Sequence, residues 1–336
     1  MMNLIGIWNE YRSFISPGNW TLLITVIIVV PVVIILNAAS FIRFVIDIKE
    51  KRNMKRRSEK TRKRVKAKID FKKTVDLARR KQHIITAHSS IIGTRLKQQD
   101  ALYVDDSATF SRQQNCKLIG ILCDGMGGMD AGERASSMAV HLLKSAFQKN
   151  QNISNIPEFL EQTINELNED VYKIRNDYNE IGRAGTTLVA VVIQNRKMYW
   201  ASVGDSRIYI FRKGKILQLT RDHNYLLRLL KNIKEPRKKE EVILEPHIDA
   251  LISYVGMKYI EILDVSKNFF ELQNEDIVLL CSDGLNKSLS DAQIADIIVN
   301  NMGNLVETAR LLPLSAFNKN VYYQDNTSVI LMQYFD

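Results

Sequence analysis

The chain has 336 residues, 46% of them hydrophobic, and a formal net charge of +10. The excess charge is confined to Arg43–Lys73, which carries 15 Lys+Arg against 4 Asp+Glu and leaves the remaining residues with a net charge of −1. The basic balance is therefore no evidence for a nucleic-acid-binding catalytic domain, and we expect no nucleic acid partner. The odd number of cysteines, three, implies no disulfide framework and suits a reducing compartment.

The first apolar segment is long enough to cross a membrane. Trp20–Leu36 is apolar apart from two threonines, and residues 13–42 contain no charged side chain. A membrane-spanning helix needs about 20 such residues, so the sequence predicts a transmembrane helix at Trp20–Ile42, after a short extracytoplasmic N-terminus at residues 1–19. A cleaved signal peptide is the alternative, and the strongly basic residues that follow disfavour it.

The basic residues after this helix predict its orientation. Positively charged flanks stay in the cytoplasm, so we expect a single-pass protein of the cell (inner) membrane with everything after Arg43 on the cytoplasmic side. Residues 43–82 form a basic juxtamembrane linker without Gly or Pro. This linker could be a solvated spacer, but its position favours contact of residues 20–73 with membrane lipid. Residues 83–336 would then form the soluble domain.

The most informative motif of this domain lies where an apolar strand ends in an aspartate. His83–Ile92 reads as a first strand, and Leu118–Cys123 reads as a buried strand that ends in Asp124-Gly125, with a helix beginning near Ala131. The strand thus delivers one carboxylate to a glycine-rich bend, where the backbone can approach a ligand closely. Such a bend suits a metal or phosphate site, although an ordinary glycine turn is the alternative.

The middle of the domain shows helical and then strand-like periodicity. The helical spacing of apolar residues predicts helices at Ala131–Gln148 and Ile156–Tyr178. A predicted antiparallel meander follows, with Gly204-Asp205-Ser206-Arg207 interpreted as a turn. The strands of this meander are predicted at Leu188–Gln194, Lys197–Val203, Arg207–Arg212 and Lys215–Thr220, and further helices at Tyr225–Leu230, Asp291–Asn300 and Leu305–Phe317.

Two later aspartates also stand at strand ends. The apolar run Ile277–Cys281 is followed by Ser282 and Asp283, and Asp325 opens the last apolar run, Val329–Met332. Three carboxylates at ends of core strands offer hard oxygen ligands, which suit Mg²⁺ or Mn²⁺ better than zinc.

Together with Asp205, these motifs occur in an order that resembles the metal-dependent protein serine/threonine phosphatases (the PPM, or type 2C, family), most closely its bacterial branch. The resemblance runs from about His83 to Tyr334. It implies an α+β fold, an αββα sandwich in which two antiparallel sheets are flanked by helices. It also implies two Mn²⁺ or Mg²⁺ ions between the sheets.

The resemblance assigns metal-binding roles to particular residues. Asp124 would bridge the two ions and act in catalysis, with the carbonyl of Gly125 as a further ligand. Asp283 and Asp325 would complete the shell of one ion. Asp205 borders the cluster and can hold a third ion.

The loop after the first strand carries the remaining assignments. Arg95 would grip the substrate phosphate as a second catalytic residue, and Asp100 would support the metal shell. Gln99 stands where many relatives have Glu. Met126 and Met129 stand at two positions where relatives often have His, so the acid that protonates the leaving group is unassigned, and water on the metal ions is the default.

The expected function is that of a membrane-tethered phosphatase that hydrolyses phosphoserine and phosphothreonine by attack of a hydroxide held by two metal ions. Its partners would be phosphorylated proteins, such as a cognate Ser/Thr kinase or the substrates of that kinase. Two alternatives stay open: a catalytically weak or dead phosphoprotein-binding relative, and a hydrolase of a small phosphate compound.

Overall fold

The computed structural model describes residues 83–106, 108–109, 117–126, 131–150, 153–176, 178–232, 247–319 and 322–336. The predicted transmembrane helix Trp20–Ile42 and the basic linker lie outside these residues. Within the described ranges, none of the helices has both the length and the apolar character that crossing a bilayer requires.

The described chain contains twelve strands and six helices. The strands are β1 (His83–Ile91), β2 (Asp100–Val104), β3 (Ala108–Thr109), β4 (Lys117–Asp124), β5 (Leu188–Gln194), β6 (Lys197–Val203), β7 (Arg207–Arg212), β8 (Lys215–Gln218), β9 (Asp264–Val265), β10 (Phe270–Glu271), β11 (Ile277–Cys281) and β12 (Thr327–Phe335). The helices are α1 (Gly132–Lys149), α2 (Ile156–Tyr172), α3 (Tyr225–Asn232), α4 (Asp283–Asn286), α5 (Asp291–Asn300) and α6 (Leu305–Lys319).

The strands form two antiparallel sheets. The first sheet has the order β3-β1-β12-β11-β7-β8, and the second has the order β10-β6-β5-β4-β2 with β9 also paired to β6. β12 lies inside the first sheet, between β1 and β11, so it pairs with strands from both ends of the domain. The predicted pair of antiparallel sheets is confirmed.

Strand β5 shows how the layers are stacked. All residues from Leu188 to Ile193 are buried, because both faces of the strand are covered. Val189, Val191 and Ile193 belong to the apolar cluster between the two sheets, whereas the alternate residues belong to a cluster that contains the apolar faces of α1 and α2. This alternation follows from the two-residue period of a strand.

A third apolar cluster covers the outer face of the first sheet. Leu279 of β11 and Leu331 of β12 lie in it together with Ile294 of α5 and Leu312 of α6. Helices therefore pack on the outer face of each sheet, and the predicted αββα sandwich is confirmed.

The predicted meander from β5 to β8 is wrong at its centre. β6 pairs with β5 in the second sheet, whereas β7 pairs with β8 and β11 in the first sheet. Gly204–Ser206 is therefore a crossing between the sheets and not a hairpin turn. Gly204 has φ 102°, which favours glycine. Sequence patterns also missed β2, and they extended α2 to Tyr178 although it ends at Tyr172.

Asn168 of α2 fastens the loop before β9 to the helix. Asn168 is 5% exposed. Its Oδ1 accepts a hydrogen bond from the Gly256 amide at 2.7 Å, and its Nδ2 donates to the Met257 carbonyl at 3.0 Å. Both backbone groups lose these partners if the amide is removed.

We expect Asn168→Ala to lower the free energy of unfolding by about 2 kcal/mol, because it leaves buried backbone groups unpaired. Urea denaturation measures the change. Asn165→Ala on the same helix is the control, since the Asn165 amide is exposed and donates to its own helix at Glu161. Its effect should stay below about 0.5 kcal/mol. Equal effects of the two substitutions would contradict this account of the loop.

Candidate metal centre

Two strand ends place Asp100 and Asp124 next to each other. β2 begins at Asp100 and β4 ends at Asp124, and the register of the two strands pairs these residues directly. The backbone of Asp124 is held from the other side by two threonines. Its amide donates to Thr187 Oγ1 at 3.0 Å, and its carbonyl accepts from Thr186 Oγ1 at 2.9 Å. The position of Asp124 is thus fixed through its backbone, and neither of these two contacts uses its carboxylate.

Asp100 also joins the two sheets. Its Oδ2 accepts a hydrogen bond from Ser282 Oγ at 2.8 Å, and Ser282 follows β11 of the first sheet. Ser282 Oγ in turn accepts from the Ser328 amide at 3.0 Å, at the start of β12. The ends of β2, β4, β11 and β12 therefore meet at one end of the sandwich, where Asp283 and Asp325 also lie.

The electrostatics show that the predicted aspartates share one environment. Burial, and then the charges of Asp100, Asp283, Asp205 and Asp325, raise the pKa of Asp124 well above its usual range. Burial and the charges of Asp283 and Asp325 raise the pKa of Asp100 to about 7, although hydrogen bonds from Ser328 and Ser282 oppose the shift. Like-charged carboxylates in a buried place disfavour ionisation in this way.

Asp205 belongs to the same cluster, although it lies in the segment that crosses from one sheet to the other. Burial and the charge of Asp283 raise the pKa of Asp205 to about 7, while the ammonium of Lys287 opposes the shift. The structure therefore brings together all five aspartates that the sequence singled out.

Two basic side chains contact this cluster. Arg95 donates to Asp325 Oδ2 at 2.6 Å. Lys287 donates to Asp283 Oδ2 at 2.5 Å, and its Nζ lies 3.7 Å from Asp205 Oδ2. Burial favours a lower pKa for Lys287, but the charges of Asp283 and Asp205 outweigh burial and raise it. With these pairings, no three His, Cys, Asp or Glu side chains in the described part of the chain lie close enough together to hold one ion as they stand.

Two buried oxygens test whether the cluster fits a metal ion. Asp100 Oδ1 and Asp283 Oδ1 are buried without a hydrogen-bond partner among the described residues. A buried carboxylate oxygen without a donor is costly, and a hard divalent cation is a suitable partner for it. The donor set, which is entirely oxygen, fits Mg²⁺ or Mn²⁺.

The loop that carries Arg95 is shaped by contacts with the segment around Asp325. Gly93 has φ 62°, and a Cβ there would lie 2.3 Å from the Asp325 carbonyl oxygen, so a larger residue would clash. Asn326, which the sequence analysis did not select, fastens the same loop. Its Oδ1 accepts a hydrogen bond from the backbone amide of Gln99 at 2.8 Å, and its Nδ2 donates to the backbone carbonyls of Ile92 and Lys97. In the sequence, the one signal that could have pointed to Asn326 was its position directly after Asp325.

His223 holds the crossing segment that carries Asp205 by a hydrogen bond to its backbone. This histidine is fully buried, and its Nδ1 accepts a hydrogen bond from the Gly204 amide at 3.1 Å. Nε2 therefore carries the proton and donates to Asp264 Oδ2 at 3.0 Å. His223 thus fixes the backbone next to Asp205.

The glycine-rich bend is described in part. The Met126 amide donates to the Gly185 carbonyl at 3.1 Å, next to the threonines that hold Asp124. Gly127, Gly128 and Met129 lie outside the described residues.

Comparison with known proteins agrees with this architecture. The family model "Protein phosphatase 2C" matches residues 92–313. The serine/threonine phosphatase stp of Listeria monocytogenes is 30% identical over 233 residues, which cover 68% of this chain and 89% of that protein. The chain therefore belongs to the protein phosphatase 2C family of protein serine/threonine phosphatases.

Solved structures show the same fold. The S. agalactiae serine/threonine phosphatase superimposes with a TM-score of 0.63 at 28% identity, covering 74% of this chain and 98% of that one. The catalytic domain of the phosphatase PstP superimposes with a TM-score of 0.60 at 22% identity, covering 76% and 100%. That PstP structure is a complex with two manganese ions.

The raised pKa of Asp100 predicts an unusual pH dependence in the presence of a chelator. The folded chain holds this proton up to about pH 7, whereas an aspartate without the shift loses it near 3.8. The folded state thus binds the proton more tightly, and the free energy of unfolding falls as the pH rises from 4 to 7. Asp100→Asn cannot ionise, so the variant should gain stability relative to wild type across this range in urea titrations.

Glu307→Gln is the control of opposite sign. The guanidinium of Arg310 outweighs burial and lowers the pKa of Glu307, so its contribution to stability is lost only below about pH 4.5. The difference between Glu307→Gln and wild type should therefore be constant from pH 5 to 8. A similarly constant difference for Asp100→Asn would contradict the raised pKa.

Proposed function

We propose that this phosphatase hydrolyses phosphoserine and phosphothreonine in proteins with two Mn²⁺ or Mg²⁺ ions held by Asp124, Asp283, Asp325 and the Gly125 carbonyl. The observation that carries the proposal is the buried carboxylate cluster, in which one oxygen each of Asp100 and Asp283 lacks a partner among the described residues. Positive charge placed among these oxygens would reduce the repulsion between the carboxylates and would offset the free-energy cost of burying them.

The two manganese ions in the PstP structure support the choice of metal. When bound, such ions neutralise a phosphate dianion and lower the pKa of a neighbouring water. The protein would supply the rigid frame: Thr186 and Thr187 fix Asp124, and Ser282 fixes Asp100 across the sheets. Asp100 would support the metal shell by its charge.

Arg95 would bind the substrate phosphate. Its guanidinium contacts Asp325, and its side chain is about half exposed, so it can exchange this carboxylate for phosphate oxygens. A planar guanidinium binds phosphate through two parallel hydrogen bonds. Next to a metal ligand, this group would orient the ester for attack.

We expect Asp124→Asn and Asp283→Asn to lower kcat on a phosphothreonine peptide by several orders of magnitude while the domain stays folded, because the ion ligands are lost. Removal of Mn²⁺ by a chelator should have the same effect on wild type. Near-normal turnover in either case would contradict the assigned ligands.

Arg95→Ala should lower kcat/KM for the same peptide on the order of tenfold to a hundredfold, since charge-assisted hydrogen bonds contribute about 1.5–3 kcal/mol. Arg228→Ala is the matched control, because Arg228 has similar exposure and also pairs with a carboxylate, that of Glu261, at 2.6 Å. Equal losses for both variants would show that Arg95 has no special role.

The two alternative functions require different features of the site and predict different assay results. A dead phosphoprotein-binding relative is disfavoured because all five aspartates are present and share one environment. A hydrolase of small phosphate compounds would need only the metal cluster. The same assay with phosphopeptides and with free phosphoserine separates these functions.

We further propose that the enzyme is tethered to the cell membrane by Trp20–Ile42, with its catalytic domain in the cytoplasm and residues 20–73 in contact with lipid. Support comes from the length of the uncharged segment and from the net charge of +11 directly after it. Phosphorylated proteins on the cytoplasmic side, including a cognate kinase or its substrates, would then be the partners. Tethering raises the effective concentration of membrane-bound substrates without changing the chemistry.

Reporter fusions test the orientation. An alkaline phosphatase reporter, which needs disulfides, should be inactive when fused after Lys73, whereas a fluorescent reporter fused there should be bright. A chain that begins at His83 should keep its activity on peptides, since every proposed ligand lies beyond that point. The opposite reporter pattern would place the catalytic domain outside the cytoplasm.

A further inference from the structure

Lys287 stands between two carboxylates of the cluster, one of which, that of Asp205, the resemblance assigns to an accessory ion. It follows the short helix α4 and lies four residues after Asp283, so the two side chains share one face. Its ammonium contacts Asp283 Oδ2 at 2.5 Å and lies 3.7 Å from Asp205 Oδ2. Both carboxylates are largely buried, with 14% and 10% of their side chains exposed.

The two oxygens of Asp283 have different surroundings. Oδ2 accepts the hydrogen bond from Lys287, whereas Oδ1 is buried without a hydrogen-bond partner among the described residues. One carboxylate can therefore serve Lys287 with one oxygen and a metal ion with the other. Lys287 therefore does not occupy the oxygen of Asp283 that is available to one of the proposed catalytic ions.

Asp205 also lies close to the ammonium of Lys287. Lys287 Nζ is 2.5 Å from Asp283 Oδ2 and 3.7 Å from Asp205 Oδ2, so an ion bound between these two oxygens would lie against the ammonium. Repulsion between a divalent ion and an ammonium at such distances is strong in a site that is partly screened from water. The ammonium and a third ion are thus alternatives for the same place.

We propose that Lys287 takes the place of the third metal ion, so that this phosphatase works with two ions and with a permanently attached positive charge between Asp205 and Asp283. The proposal rests on the proposed two-ion function and deepens it. Asp205 then acts as a positioning residue for Lys287 and not as a metal ligand. A tethered ammonium cannot dissociate, so its place is filled at any metal concentration.

The number of bound ions tests the proposal directly. Equilibrium dialysis of the full chain against increasing Mn²⁺, followed by metal analysis, should saturate at two ions for wild type. Lys287→Ala removes the ammonium and leaves room, so it should bind a third ion. Asp205→Asn should leave wild type at two ions, but in the Lys287→Ala background it should abolish the third.

Lys173→Ala is the matched control, because Lys173, directly after α2, also lies beside two carboxylates, the exposed ones of Glu169 and Asp170. It should bind two ions. Lys287→Arg keeps the positive charge and should also bind two. If Lys287→Ala fails to fold, the ion counts of wild type and of Asp205→Asn still test the proposal.

The outcomes separate this inference from the proposed function. Three ions in wild type, or loss of one ion on Asp205→Asn alone, would overturn the role of Lys287 while leaving a metal-dependent phosphatase. Two ions in wild type and also in a folded Lys287→Ala would overturn it as well. A wild type that binds no Mn²⁺ would overturn the proposed function itself.

Discussion

Repulsion among buried carboxylates is the constraint on which this end of the sandwich depends. Five aspartates converge there, and burial together with mutual charge raises the pKa of Asp100 and Asp205 to about 7. A fold that collects such groups needs compensating positive charge. Arg95 and Lys287 supply part of it by direct contact, and the partnerless oxygens of Asp100 and Asp283 show where further positive charge fits.

The supporting residues make the cluster rigid. Thr186 and Thr187 hold the backbone of Asp124, Ser282 ties Asp100 to the opposite sheet, and His223 fixes the crossing next to Asp205. None of these side chains needs to touch substrate. Their hydrogen bonds hold the backbone and carboxylate oxygens in place, which is what a preorganised metal site requires.

Much of the carboxylate cluster could be predicted from the sequence, because a buried strand that ends in an aspartate gives a strong local signal. Ile277–Cys281 and Leu188–Gln194 were predicted with the bounds that the structure has, because apolar runs of strand length are recognisable without tertiary information. The pairing partners were not readable. The hairpin interpretation of Gly204–Ser206 failed because turn residues also suit a crossing between sheets, and Lys287 and Asn326 escaped notice because their roles depend on contacts distant in sequence.

The central position of β12 has a consequence for synthesis on the ribosome. β1 lies at the start of the domain, yet its partner along its whole length is β12, more than two hundred residues later. Until Phe335 has emerged from the ribosome, β1 and β11 lack the strand that joins them, and Asp325 cannot meet Asp124. Pairing over such separations is slow and forms late. We therefore expect a nascent chain to have no assembled carboxylate cluster, and no premature phosphatase activity, before the whole domain has been made.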